Sequence, residues 1–225
     1  MKDSGVEWLG EVPAQWNVKR LKHISPQISV GLVINPSIYV QEEGVPFLFG
    51  GNIVEGGFKL NGVRRMSDAD SRKLHQSRLR KGDLVCVRVG YPGVTAVVPA
   101  ELDGANCASV MVIRSGPFES DWLCHALNSR VGRFQVGQVQ YGAAQKQFNI
   151  GDAIEWTFPV PPQTEQKEIV KMLTDVLGRL QAATEAANRM IGLLRERRSA
   201  LISAAVTGKI DVRDWKPPEQ EDAAS

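Results

Sequence analysis

The chain has 225 residues, enough for one ordinary domain with an extension or for two small domains, and its 43% hydrophobic and 23% charged content is globular, which excludes a disordered chain. No stretch approaches the roughly 18 apolar residues of a membrane span, and the opening MKDSGVEWLGEVP lacks a signal peptide's apolar core. The net charge of +2 conceals a basic block, since residues 59–88 carry nine Lys/Arg against three Asp. Such a block has two readings, a face for an anionic partner or a solvated surface.

In chain order, residues 1–160 read as a mixed domain. PFLF (46–49), DLVCVRV (83–89), VTAVVP (94–99) and SVMVIR (109–114) are apolar and β-branched runs bounded by Gly, Pro or Asn, so each predicts a strand. GGNIVEGGF and GYPG predict the turns between them. SDWLCHALNSRVGRFQV (120–136) predicts one helix through Leu123, Leu127, Val131 and Phe134, with Ser120 as its cap. QYGAAQKQFNI then reads as a polar loop. Cys86, Cys107 and Cys124 are far apart and odd in number, which predicts buried, reduced thiols and a cytoplasmic setting.

Three prolines in PVPP (159–162) stop that pattern. Thr164 is the expected cap of a new helix, with Glu165 and Glu168 in its first turn. Apolar residues follow at Ile169, Leu173, Val176, Leu180, Ala183, Ala187, Met190, Leu194 and Leu201, in steps that alternate four and three. This is a heptad seam of about five heptads, interrupted by Arg197 and widened by Val170, Leu177 and Ile191. A helix from Thr164 to Val206, stopped by Gly208, runs for about 65 Å and needs another helix beside it. The alanine-rich AATEAAN at its midpoint either marks the waist of an antiparallel self-pair or reflects alanine's helix propensity. The expected division is a body over 1–160, a helix over 161–212 and a polar tail over 213–225. The fold class is α+β, with a mixed α/β globular domain followed by a long coiled-coil-forming helix.

The residues for catalysis are missing. TGKI (207–210) carries Gly-Lys, but Ser203 stands where a phosphate loop needs its first glycine and Ile210 where it needs Ser or Thr. GGNIVEGG leads into no helix, so it does not cradle a nucleotide. His23, His75 and His125 are isolated, with no metal spacing. Glu165-Gln166-Lys167 has no Pro-Asp upstream and opens a helix, unlike a nuclease's carboxylate–lysine pair. The chain reads as a binding protein without catalytic, metal or cofactor residues of its own.

Binding residues for a nucleic acid are present. Arg64, Arg65, Lys73, Arg78 and Arg88 would neutralise phosphates, with His75 and Gln76 among them in RKLHQSR. The segment 137–149 offers Gln138, Gln140, Tyr141, Gln145, Lys146 and Gln147, a set of amides with one cation and one aromatic that suits base edges and equally suits a merely soluble loop. Arg88 and Tyr91 flank the turn VGYPG, and Asn52 lies in a glycine-flanked turn.

In order along the chain, WLGEVPAQWNVKRLKHI, FLFGGNIVEGGF, KGDLVCVRVGYPGVTAVVP, GANCASVMVIR, VPPQTEQKEIV and LLRERRSALISAAVTGKID resemble the segments of specificity (S) subunits of type I restriction-modification systems. The resemblance covers nearly all of residues 5–212. It implies a target recognition domain that sits in the major groove of double-stranded DNA and a spacer helix that docks methyltransferase (M) subunits. S-adenosylmethionine would belong to that partner. ATP and Mg would belong to a restriction (R) subunit, if one joins. Typical members carry two recognition domains and two spacer helices, and this chain has one of each, so it resembles a half-size form. A second copy, paired through antiparallel helices 164–206, would complete it, with the proline joint keeping the strut rigid. A two-fold protein then implies a palindromic, bipartite site. Two alternatives stay open: pairing with a different half-size subunit, and a coiled-coil interaction module with no direct role at DNA.

Overall fold

A computed structural model describes residues 1–25, 27–139, 147–211 and 213. The chain is α+β and divides into two compact units, Met1–Lys171 and Met172–Ser225.

The first unit is built on a four-stranded antiparallel sheet in the order Thr95–Val97, Leu84–Val87, Val110–Ile113, Ile28–Val30. Its two central strands are buried at every residue. Successive side chains point to opposite faces, so such strands must be apolar throughout rather than alternating. Leu84, Cys86, Met111 and Ile113 join one core with Trp122, Leu123, Leu127, Phe148, Trp156 and Phe158. Val85, Val87, Val110 and Val112 join another with Leu48, Leu79, Leu102 and Cys107. A second sheet of three strands, Asn106–Cys107, Val45–Leu48 and Arg64–Met66, has one parallel and one antiparallel pairing. Ser109 has φ of 59°, left-handed for a non-glycine residue, where the chain passes from Asn106–Cys107 in that sheet to Val110–Ile113 in the first.

The expected helix over 120–136 is two helices, Ser120–Asn128 and Arg130–Val139. Ser129 breaks the run in extended backbone, and its hydroxyl accepts from Val131 N at 3.2 Å to start the second helix. Gly132 permits the reversal, because a Cβ there would lie 2.1 Å from Leu127 O. Ser120 is not the cap of the first helix: Glu119 holds that position, and Ser120 Oγ donates to Gly82 O at 2.6 Å.

The proline joint continues a strand pair in which Thr157–Val160 runs antiparallel to Asn17–Arg20. The C-terminal helix spans Gln163–Val206. It begins before Thr164, because Pro162 O already accepts from Gln166 N. Within the first unit its opening turn is tied down twice. Glu165 Oε2 accepts from Trp16 Nε1 at 2.7 Å, and Glu165 Oε1 from Gln15 Nε2 at 3.1 Å. Gln166 is buried, accepting from Glu119 N and donating to Pro161 O, each at 2.9 Å. Ile169 and Val170 pack against the first core, so at least Ile169 of the seam is committed to the body.

In the second unit the seam is open. Val176, Leu180, Met190, Leu194 and Leu201 are exposed, as are Leu177 and Ile191 beside them. The helix ends as expected at Gly208, whose φ is 74°. Gly208 N bonds Ala205 O and Lys209 N bonds Ala204 O, a Schellman closure.

Candidate nucleic-acid interface

The cations of the basic block are placed by the second sheet. Arg64 pairs with Phe47, Phe47 with Asn106, and Asn106 with Arg78, which extends the row by an isolated bridge. The backbones of Arg64 and Arg78 therefore stand at opposite ends of one row, about 14 Å apart at three strand spacings.

Neutral groups hold the guanidiniums. Arg64 lies over the Phe49 ring at 4.7 Å. Arg65 Nη1 donates to Gly44 O at 2.8 Å, Arg78 Nε to Gly104 O at 3.2 Å and Arg88 Nε to Phe148 O at 3.3 Å. Lys73 has a carboxylate nearby, Asp70 at 3.8 Å, and is itself 77% exposed. Elsewhere in the body the pattern reverses. Lys22 and Arg20 pair with Glu155 and hold its carboxyl below the ordinary range, and Arg133 pairs with Glu55. Among the described residues, then, Arg64, Arg65, Arg78 and Arg88 are oriented without being neutralised.

The segment after residue 72 is shaped by a buried and a half-buried group, Asn106 and Arg114, that sequence reasoning passed over. Asn106 Nδ2 donates to Leu74 O and Ser77 Oγ. Arg114 Nη1 donates to Asp83 Oδ2 and to Arg78 O, and its Nη2 to Gln76 O. The only sequence trace of either was an Arg at the end of a strand and an Asn at the start of another. His75 is brought to the rim of three neighbouring recesses, lined further by Lys73, Gln76, Arg78, Arg80, Lys81 and Arg114. His75 and Gln76 are themselves exposed.

A second group of candidates meets at the turn after Leu84–Val87. Val89 bridges Gln147, and Phe148 N donates to Arg88 O at 3.3 Å, so Arg88 and Gln147 are brought together, with Tyr91 83% exposed on the turn. Gln138 is not in a loop, as expected, but in the last turn of the helix Arg130–Val139, where it is exposed. Gln140, Tyr141, Gln145 and Lys146 lie outside the described residues. Asn52 serves its own turn: its Oδ1 accepts from Phe49 N at 2.9 Å and its Nδ2 donates to Lys59 O at 3.1 Å.

Three buried thiols complete the electrostatic picture. Burial pushes Cys86 up to about 11 and Cys107 and Cys124 up to about 12. Among the described residues no group of three or more His, Cys, Asp or Glu could hold a metal ion, and no helix is long and apolar enough to cross a membrane.

No family model matches the chain. Its structure is similar to a chain solved in a study of complex assembly and conformational transition of the type I R-M system, with a TM-score of 0.67 and 21% identity over 87% of this chain and 47% of that one. It is also similar to the HsdS subunit from Thermoanaerobacter tengcongensis, with a TM-score of 0.61 and 18% identity over 93% of this chain and 53% of that one. The S subunit of a type I restriction-modification system from M. genitalium gives 0.52 and 14%, over 76% and 42%. The chain thus has the fold of type I specificity subunits and spans about half the length of the solved structures it matches.

Proposed function

We propose that this chain is the DNA-reading, non-catalytic specificity subunit of a type I restriction-modification enzyme, with residues 1–160 as the target recognition domain. The observation that carries the reading is the treatment of charge: Arg64, Arg65, Arg78 and Arg88 are fixed by an aromatic ring or by carbonyl oxygens and keep their full charge for an anion. A phosphate backbone is the anion that such an array fits. Gln147 and Tyr91 next to Arg88 suit contacts to bases or nearby backbone. The chain itself takes no cofactor. S-adenosylmethionine belongs to methyltransferase subunits docked on it, and ATP and Mg to a restriction subunit where one joins.

The helix supports pairing with a second copy. Placed antiparallel with Glu185 on the two-fold axis, Ala183 meets Ala187 of the other copy, Leu180 meets Met190, Val176 meets Leu194 and Leu177 meets Leu193. Each exposed apolar residue of this set then gains an apolar mate, and the alanines let the backbones approach at the axis. The resulting two-fold reader calls for a palindromic, bipartite site.

The test is salt-dependent binding of the chain with its methyltransferase partner to duplex DNA. Arg64→Gln and Arg78→Gln are each expected to weaken all sequences alike and to flatten the salt slope by about one unit. An unchanged slope removes these residues from the phosphate-contacting set. Mass measurement of the purified chain, alone and with the methyltransferase, separates the self-pair from pairing with a different half-subunit.

A further inference from the structure

The loop between Ile28–Val30 and Val45–Leu48 has no role in the reading above, yet it carries the most exposed aliphatic side chains of the described body. Val33 is 58% exposed, Ile34 78% and Ile38 70%. The loop is held at both ends. Gly31 N bonds Val110 O and Leu32 N bonds Cys107 O, each at 2.9 Å, while Leu32, Tyr39 and Val40 pack against the core around Phe47 and Met66. Gly31 sits so close to the neighbouring strand that a Cβ would lie 2.5 Å from Cys107 O. At the tip, Asn35 is left-handed (φ 42°) and Pro36 opens the short 3-10 turn Pro36–Tyr39. Large aliphatic groups on a rooted tip are presented to something that water does not replace.

Charge identifies the occupant. Val33 and Ile34 line a recess of about 450 Å³ whose other wall is Lys73–Ser77, and its charged or titratable lining is Lys73 and His75, with no carboxylate. The adjoining recess adds Arg80, while Arg114 in its lining is already paired with Asp83. An apolar tip with Lys73, His75 and Arg80 along the facing wall fits an apolar surface beside an anionic frame, which is what a DNA groove offers between its phosphates. We propose that residues 33–38 form an apolar finger that enters a groove of the duplex, where Ile34 and Ile38 contact bases while Lys73 and His75 face the flanking backbone. This rests on the DNA-reading function proposed above and adds a specificity element to it.

The experiment uses the full chain with its methyltransferase partner and a duplex pool with randomised positions, from which the wild type selects its preferred duplex. The variant I34S/I38S alters exposed side chains and keeps the fold, as checked by circular dichroism. Its affinity for the selected duplex is expected to fall about tenfold or more. The salt slope stays unchanged, because an apolar contact releases no counterions, and binding to the unselected pool changes by less than about twofold. Unchanged affinity for the selected duplex overturns the finger. So does loss of methyltransferase association with DNA affinity intact, which would assign the loop to a protein partner. If the wild type selects no sequence and R64Q/R78Q leaves the slope unaltered, the DNA reading itself falls and the finger with it. By contrast, a selecting wild type with an indifferent I34S/I38S sinks the finger alone.

Discussion

Arg114 Nη1 lies 2.6 Å from Asp83 Oδ2, and the same guanidinium donates to the carbonyl oxygens of Arg78 and Gln76. Asp83 is 1% exposed and also accepts from the backbone N–H groups of Arg80 and Ser115. One pair, with its carboxylate buried, therefore ties the end of a core strand to the cation-bearing segment. Arg114→Met would leave a buried carboxylate without its counter-charge, and a loss of about 3 kcal/mol is expected in urea unfolding. Hydrogen exchange over residues 76–81 should accelerate in the same variant. A loss below about 1 kcal/mol would show the pair to be incidental.

The joint gives an ordered pair of expectations. Gln166→Ala leaves Glu119 N and Pro161 O without their buried partner and should cost about 2 kcal/mol. Glu165→Gln keeps one acceptor, enough for Trp16, and loses its charge and the exposed acceptor used by Gln15, so about 1 kcal/mol is expected, with a shift in indole emission. Thermal unfolding that ranks the two the other way would mean that Glu165, not Gln166, secures the helix start.

Leu180 is 58% exposed, so Leu180→Glu is a surface change for a lone chain and a disruption for a pair. Light scattering should report the paired mass for the wild type and the single-chain mass for the variant at micromolar concentration. Orientation is read separately. Copies carrying Ala183→Cys, mixed with copies carrying Ala187→Cys, should cross-link if the helices are antiparallel, and failure to do so would favour a parallel arrangement.

The thiols answer to pH. Each raised value means that the folded state favours the neutral thiol, so stability is flat below the ordinary 9.0 and declines as pH climbs towards 11–12. At pH 8 a thiol reagent should modify none of Cys86, Cys107 and Cys124 until the protein unfolds. Rapid labelling of the native protein would contradict their burial.

What could be read from the residues follows the range of the forces involved. The central strands announced themselves because burial on both faces makes them apolar throughout, as in Leu84–Val87 and Val110–Ile113. The long helix and its Gly208 stop were equally plain, since heptads and left-handed caps are local signals. The break at Ser129 was hidden because the apolar period runs on through it, while the reversal depends on Gly132 meeting Leu127. Arg114–Asp83 and Asn106–Ser77 join residues far apart in sequence and leave no periodic trace. Of the candidate interface, the cations were visible as a charge block. That Arg64, Arg65, Arg78 and Arg88 rest on neutral groups emerges only in three dimensions.

The pairing of Asn17–Arg20 with Thr157–Val160 has a consequence for biosynthesis. On the ribosome the first of these strands waits, with an open edge, until nearly the whole body has been translated, because its mate is the last strand of Met1–Lys171 among the described residues. Closure of so distant a contact is intrinsically slow. Nascent chains interrupted before Val160 are thus left with an unmatched strand edge, a feature that recruits chaperones or aggregates, whereas those interrupted beyond the first helical turns already carry a finished body.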